Sequence, residues 1–183
     1  MNVPLPKVRM NVDEFLAWSE RQPDDRYELV DGEIVAVTRD TIGHDRGKFA
    51  ACLALYNAVR AAKLPCYVFI DGVGVKINEK TLRIPDIVVH CGAELNPNAM
   101  IAESPVIAVE LVSPSSERDN VDSKFIDYFT VASCHCLILF PEKHAVVHPE
   151  RNAAGKIESR IVKDGDIALD PPGLSVSVAA LLG

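Results

Sequence analysis

Two acidic residues interrupt segments that otherwise have the composition of buried β-strands. Asp86 stands within residues 82–89 and Glu110 within residues 106–113. An ionised carboxylate in a dry sheet costs several kcal/mol unless it is paired or bound to a metal. A divalent cation between the two acids would remove that conflict. Lys124 follows in a segment with helical periodicity and supplies an amine.

Two carboxylates and a lysine are the parts needed for metal-assisted hydrolysis of a phosphodiester. Carboxylate oxygens are the ligands that Mg²⁺ prefers, and the bound ion polarises a phosphate and lowers the pKa of a water molecule. The lysine would neutralise developing charge or orient that water. The pattern therefore favours a metal-dependent hydrolase.

Each of these residues also has an ordinary structural explanation. Asp86 could begin a turn after a proline, and Glu110 could lie on a solvated sheet face or in an ion pair. Lys124 could be a solvated helix residue. His44 at a helix start could be a capping residue, and Glu28 could be a surface acid on a strand.

Length and composition predict one domain spanning residues 1–183, because 48% of the residues are hydrophobic and can form a core. No run approaches the ~20 apolar residues of a membrane span, and residues 1–10 lack the apolar stretch of a signal peptide. We therefore expect a cytoplasmic protein that does not contact membranes. Neither a G-x-S-x-G nucleophile motif nor a P-loop occurs.

The five cysteines do not form a disulfide-like or zinc-like pattern. Their number is odd and no C-x-x-C pair occurs, which predicts reduced, buried thiols. Within residues 134–136 a histidine stands between two cysteines. Alternation along a strand would direct His135 to the face opposite both sulfurs, so we do not expect zinc there.

The net charge of −7 opposes non-specific attraction to nucleic acid. Clustered acids at an active site would contribute to this charge, and a bound metal would offset it. A basic groove could still form in an oligomer. Its candidate residues are Arg39, Arg46, Lys48, Arg60 and Lys63, although a solvated helix face accounts for most of them equally well.

The order of the predicted elements indicates an α/β (α+β) domain with a mixed central sheet flanked by helices. A helix capped by Asn11 precedes Pro23, and Asp-Gly at residues 31–32 predicts a hairpin over residues 26–37. The longest helix should run from His44 to about Lys63, with apolar residues at helical spacing at positions 49, 53, 56 and 59. Strands are expected over residues 66–77, 83–90, 106–112, 137–140, 145–148 and 157–162. Residues 113–116 should cap the helix that carries Lys124.

Several short segments, taken in order, resemble the Uma family, which is described as restriction endonucleases within the PD-(D/E)XK nuclease superfamily. They are RYELVDGEIV at residues 26–35, His44 at the start of the long helix, IPDIVV at 84–89, VELVSPSSERD at 109–119, and Lys124 with Tyr128. No single segment is specific, whereas their order and spacing together are moderately so. The resemblance covers nearly the whole chain and implies a restriction-endonuclease-like fold.

The resemblance also implies roles for individual residues. Asp86 and Glu110 would bind Mg²⁺, or Mn²⁺ in its place, with the backbone carbonyl of Leu111 as a third ligand. Lys124 would be the catalytic lysine, supplied by the helix after the strand. Glu28 and His44 would complete the acidic pocket. The implied activity is cleavage of DNA phosphodiester bonds, and a homodimer is expected if both strands are cut.

Two other functions fit the sequence. A module that keeps the nuclease fold without catalysis could bind nucleic acid or regulate another protein. A structural or interaction protein could instead use an apolar edge for oligomerisation, which the negative charge and modest basic content allow. Metal uptake and nucleic-acid retention at low salt distinguish these functions from the enzyme.

Overall fold

A computed structural model describes residues 8–22, 26–37, 39–112, 121–131, 134–151 and 154–183. Its helices are α1 (Val12–Ser19), α2 (Ile42–Ala61), α3 (Val121–Thr130) and α4 (Val178–Leu182). Its strands are β1 (Tyr27–Val30), β2 (Glu33–Ala36), β3 (Cys66–Ile70), β4 (Val75–Asn78), β5 (Thr81–Arg83), β6 (Ile87–Cys91), β7 (Pro105–Leu111), β8 (His135–Phe140), β9 (Ala145–Arg151), β10 (Ile157–Val162), β11 (Asp166–Leu169) and β12 (Leu174–Ser177). The predicted cap at residues 113–116 lies outside the described residues.

A mixed six-stranded sheet forms the centre of the fold. Its strand order is β10-β9-β8-β7-β6-β3, in which β7 and β8 are parallel and the other neighbours antiparallel. A four-stranded sheet, β2-β1-β5-β4, lies beside it, and β11 pairs with β12. This architecture confirms the predicted mixed sheet with flanking helices.

Alternation along the central strands produces two cores, one on each face of the sheet. On one face, Leu55 of α2 packs with Ile87, Val109 and Leu137. On the other face, Tyr128 and Phe129 of α3 pack with strand residues that include Val88 and Ala108. Helices α2 and α3 therefore cover opposite faces of β6 and β7, the strands next to the two acids.

Local signals at the first helix and hairpin form as the sequence predicts. Asn11 and Glu14 make a reciprocal capping box at the start of α1. Asp31 and Gly32 both have positive φ, 49° and 83°, as the tight turn between β1 and β2 requires. β1 also pairs with β5, which brings the hairpin close to the segment containing Asp86.

The apolar residues at helical spacing in α2 do not form its buried face. Phe49, Leu53 and Tyr56 are 65%, 47% and 51% exposed, and only Val59 of the four is buried. The buried residues of α2 are Lys48, Ala51, Ala54, Leu55 and Val59, of which two are alanines. Alanines allow the helix axis to approach the sheet more closely than large side chains would, so the larger side chains point outward.

The expectation that all five cysteines are reduced is wrong for one pair. Cys66 on β3 and Cys91 on β6 are direct cross-strand neighbours and form a disulfide. Cys52, Cys134 and Cys136 are free, and only Cys136 is fully buried. Sequence spacing could not reveal the disulfide, because the pairing of these cysteines depends on the register of two strands and the cysteines are 25 positions apart in the sequence.

Candidate active site

Asp86 and Glu110 come together because β6 and β7 are antiparallel neighbours. The register pairs Ile87 with Val109, so Asp86, one residue before β6, continues the ladder toward Glu110. Their proximity also has an electrostatic consequence, since the charge of Asp86 contributes to raising the pKa of Glu110. The two acids that drew attention in the sequence thus lie at one end of the same strand pair.

Glu110 is held by two donors from helix α3. The Lys124 ammonium lies 3.2 Å from Glu110 Oε1 and 3.3 Å from Oε2. The Tyr128 hydroxyl donates a hydrogen bond of 2.7 Å to Oε1. Residues 124 and 128 are one helical turn apart, so both side chains reach the same carboxylate. Tyr128 is therefore buried against Glu110.

The titration behaviour of Glu110 and Lys124 reflects burial and an excess of negative charge. Burial raises the pKa of Glu110 to about 7, with further contributions from the charges of Asp86 and Glu28, while Lys124 acts in the opposite direction. Burial alone would lower the pKa of Lys124, but Glu110 and Glu28 together raise it above its ordinary value. The amine of Lys124 thus stays protonated at neutral pH, while Glu110 changes its protonation state close to pH 7.

Glu28 lies inside the pocket, 3% exposed, and is not a surface acid. Its Oε1 accepts a hydrogen bond of 3.0 Å from the Ile84 backbone N–H and lies 3.0 Å from Lys124 Nζ. Its Oε2 accepts a hydrogen bond of 3.0 Å from Arg83. Glu28 therefore joins the hairpin of β1 to both α3 and the segment before Asp86.

Arg83 is a buried cation at the site that the sequence did not single out. Besides Glu28, it donates a 2.7 Å hydrogen bond from Nε to Asp127 Oδ2 on α3. Its pKa is raised in spite of burial, because Glu28 and Asp127 both stabilise the charged form. A lone arginine in the strand β5 is the same kind of anomaly as Asp86 in its strand, and could have been noticed for that reason.

Asp86 is contacted by helix α2 and strand β7, whereas Glu110 is contacted by helix α3. Its Oδ2 accepts a hydrogen bond of 2.7 Å from the backbone N–H of Leu111, and its Oδ1 lies 3.3 Å from His44 Nε2 on α2. The hydrogen bond to Asp86 raises the pKa of His44, with burial acting against it. Gly47, one turn after His44, lies close to β7, since a Cβ at that position would come within 2.7 Å of a Leu111 methyl group.

A second charged cluster supports His44. Asp40 Oδ1 lies 3.6 Å from His44 Nε2, and Asp40 Oδ2 accepts a hydrogen bond of 2.6 Å from Lys48. Lys48 is 1% exposed and also bonds Asp71 at 2.9 Å, while Arg26 bridges the same two aspartates. Lys48 is therefore committed to internal pairs, and the idea that it belongs to a basic groove is wrong.

The carboxyl groups around Glu110 are oxygen donors of the type that binds hard divalent cations. Four carboxyl groups, those of Glu28, Asp86, Glu110 and Asp127, outnumber the two permanent cations that pair with them, Arg83 and Lys124. Carboxylate oxygens suit Mg²⁺ or Mn²⁺. Within the described ranges, however, no three His, Cys, Asp or Glu side chains are already grouped as a metal-ligand set. A backbone oxygen or water would have to complete the coordination.

Comparison with known proteins places the chain in a family. Residues 12–181 match the model of the Uma2 family, whose description is "Putative restriction endonuclease". The chain belongs to the Uma2 family. Its fold is similar to that of a crystal structure from Anabaena variabilis, titled as a putative nuclease belonging to DUF820, with a TM-score of 0.75, 17% identity and coverage of 94% of this chain and 97% of that one.

A protein of Synechocystis sp. described as uncharacterised is 28% identical over 134 residues, which are 68% of this chain and 63% of the relative. The match therefore spans less than two thirds of the relative's length, and that relative supplies no activity to compare. Among the helices of the described ranges, none combines the length and apolarity needed to cross a bilayer.

Proposed function

We propose that this Uma2 member hydrolyses DNA phosphodiester bonds with Mg²⁺ as its cofactor. The observation that supports the proposal is that Asp86 adjoins Glu110 in the register of β6 and β7, while Glu110 forms an ion pair with Lys124. Family membership supports nucleolytic chemistry, and carboxyl groups that outnumber the permanent cations supply the chemical reason for a metal ion.

The side chains around Glu110 and Asp86 would have three roles in this reaction: metal binding, charge stabilisation and positioning. Asp86, Glu110 and the carbonyl of Leu111 would hold the ion, which when bound would polarise the phosphate and acidify a water molecule. Lys124 keeps its proton and can stabilise charge developing on the phosphate or orient the attacking water. Glu28 and Tyr128 position Lys124 and Glu110, and His44 orients Asp86.

The proposal is tested by comparing wild type with Asp86→Ala and Lys124→Ala on linear and supercoiled DNA with Mg²⁺ or Mn²⁺. We expect a loss of at least ~100-fold in cleavage rate for either variant, because each removes electrostatic stabilisation of the transition state. Asp164→Ala and Lys163→Ala, at exposed positions in the turn before β11, are the matched controls and should retain wild-type rates. Equal cleavage by wild type and Asp86→Ala would remove Asp86 from the mechanism.

Calorimetry separates the enzyme from a non-catalytic module with the same fold. The enzyme should bind Mn²⁺, and Asp86→Ala should abolish that binding. The absence of Mn²⁺ uptake together with retained DNA affinity would favour a module that binds without cleaving. This alternative has one specific observation in its favour, since hydrogen-bond donors already occupy the oxygens of Asp86 and Glu110.

A further inference from the structure

The disulfide between Cys66 and Cys91 closes one end of the strand pair β3 and β6. Cys66 is the first residue of β3, Cys91 is the last residue of β6, and the two are direct partners in the antiparallel ladder. Both residues are partly exposed beside the core cluster that α2 covers. Strand β3 is also the last strand in the order of the described six-stranded sheet. This position at the edge gives a small thiol a route to the bond.

The fold does not require a covalent link at this point. Disulfides are needed mainly in small domains that cannot build a sufficient core. This chain has 183 residues, and its central sheet carries a buried apolar cluster on each face. Cys52, Cys134 and Cys136 remain thiols, so the five cysteines do not form a disulfide framework. A single bond at a sheet edge matches the exposed disulfides that exchange with thiols.

The opposite end of the same strand pair lies at the candidate active site. After five ladder pairs, the backbone N–H of Asp71 donates a hydrogen bond of 3.0 Å to the backbone carbonyl of Asp86. The Asp71 carboxylate accepts a hydrogen bond of 2.9 Å from the buried Lys48. Lys48 lies one turn after His44 on α2, and the ring of His44 contacts Asp86. Strand β3 therefore links the disulfide to the surroundings of Asp86.

We propose that the Cys66–Cys91 disulfide is a redox-sensitive link, which exchanges with small thiols of the glutathione class and controls how firmly β3 is held beside Asp86. In the described sheet β3 has one hydrogen-bonded neighbour, β6. The closed bond limits the conformations that β3 reaches when its hydrogen bonds open, because a cross-link restricts the open state. The reduced strand is held only by that ladder and by its packing on α2.

The exchange is a balanced two-electron reaction. The thiolate of one small thiol attacks one sulfur of the disulfide, the S–S bond breaks, and its electron pair goes to the other cysteine, which takes a proton. A second small thiolate attacks the mixed disulfide at the sulfur of the first small thiol and releases the remaining cysteine, which also takes a proton. Two protein thiols and one small oxidised disulfide are the products.

Glutathione buffers with stepped ratios of the reduced to the oxidised form test the exchange on folded wild type. Free thiols are counted by alkylation and mass spectrometry. We expect the pair to pass reversibly from disulfide to two thiols across the series, with unchanged circular dichroism. Cys52→Ser, which removes a free cysteine of α2, is the matched control and should titrate at the same ratio. A bond that resists reduced glutathione in the folded protein and reacts only after unfolding in urea would overturn the proposal.

Hydrogen exchange followed by mass spectrometry tests the effect on the strand. Reduction of wild type should raise the exchange rate of amides in residues 66–71 at least roughly tenfold, because the open state is no longer restricted. Peptides covering β10, at the opposite edge of the described sheet, are the internal control and should not change. Equal exchange of residues 66–71 in oxidised and reduced wild type would refute the proposed control of β3.

A double variant, Cys66→Ser with Cys91→Ser, gives a second measurement. It should show the fast exchange of reduced wild type in both reducing and oxidising buffers, whereas slow exchange like that of oxidised wild type would contradict the proposal. The comparison of oxidised with reduced wild type decides the question by itself if this variant folds poorly. Any effect on cleavage rests on the proposed function, whereas the thiol and hydrogen-exchange measurements do not, so either proposal can fail alone.

Discussion

Glu110 shows the conflict between burial and charge at the scale of a single residue. It is buried, shares Lys124 with Glu28, and stands next to Asp86. An apolar or amide side chain would suit this position better if folding were the only requirement. The raised pKa of Glu110 reflects that conflict and leads to a pH-dependent prediction.

Glu110→Gln should be more stable than wild type at pH 8, with the difference disappearing toward pH 4.5. The pKa of Glu110 is about 7 in the folded protein and about 4.5 in the unfolded chain, so the folded state binds more protons between these values. Its contribution is therefore most favourable below pH 4.5 and is lost as pH rises to about 7. Tyr128 can still donate to the glutamine oxygen.

Urea unfolding in EDTA at pH steps from 4.5 to 8 measures this effect. The expected difference at pH 8 is about 2 to 4 kcal/mol. Glu94→Gln, at an exposed position in the loop after β6, is the control and should follow wild type at every pH. A constant difference between Glu110→Gln and wild type across the range would contradict the proposed origin of the shift.

At the scale of elements, Arg83 connects three parts of the fold. It lies on β5, binds Glu28 on β1 and binds Asp127 on α3. Helix α3 carries Lys124 and Tyr128, so the position of the lysine depends on this buried arginine as well as on packing. The site is thus assembled by long-range ion pairs between elements that are distant in sequence.

Arg83→Met should destabilise the protein by about 3 to 5 kcal/mol, because it leaves Glu28 buried without its main partner. The double variant Arg83→Met with Glu28→Gln should recover part of this loss, since the unpaired charge is then absent. Equilibrium unfolding at pH 7 measures both. Arg160→Met is the matched control: Arg160 pairs with Glu150 on the exposed side of the sheet, and its loss should cost less than about 1 kcal/mol. Equal costs for the two single variants would refute the role assigned to Arg83.

For the molecule as a whole, the net charge of −7 opposes the contact with DNA that the proposed function requires. Several of these charges converge in the proposed site, where they would repel a phosphate. A bound divalent cation reverses the local sign. Affinity for DNA and affinity for metal should therefore be coupled.

Fluorescence anisotropy of a labelled DNA duplex should show at least roughly tenfold tighter binding with Ca²⁺ than with EDTA at constant ionic strength, since Ca²⁺ takes the same oxygen ligands. Asp86→Asn should abolish most of the difference, whereas Asp164→Asn should preserve it. If wild type bound equally well with Ca²⁺ and with EDTA, the cation would not bridge protein and DNA.

Local sequence patterns determined much of this protein. The Asp-Gly turn and the capping box at Asn11 follow from short-range backbone preferences and steric rules, and the limits of α2, expected from His44 to about Lys63 and found at Ile42–Ala61, were predicted to within two residues. The acids at 86 and 110 were identifiable because a charge within an apolar strand conflicts with burial. Those features depend on neighbours within a few residues, so the sequence alone was sufficient.

Only the tertiary structure decided which residues meet. Arg83 and Glu28 are 55 residues apart, and the disulfide depends on the register of β3 and β6. The exposure of the large apolar residues of α2 depends on which face of the helix packs on the sheet. Each is a choice between faces or partners that local propensity leaves nearly equal in free energy. Packing of the whole chain breaks that balance, because small residues and paired charges are the ones that can be buried at low cost.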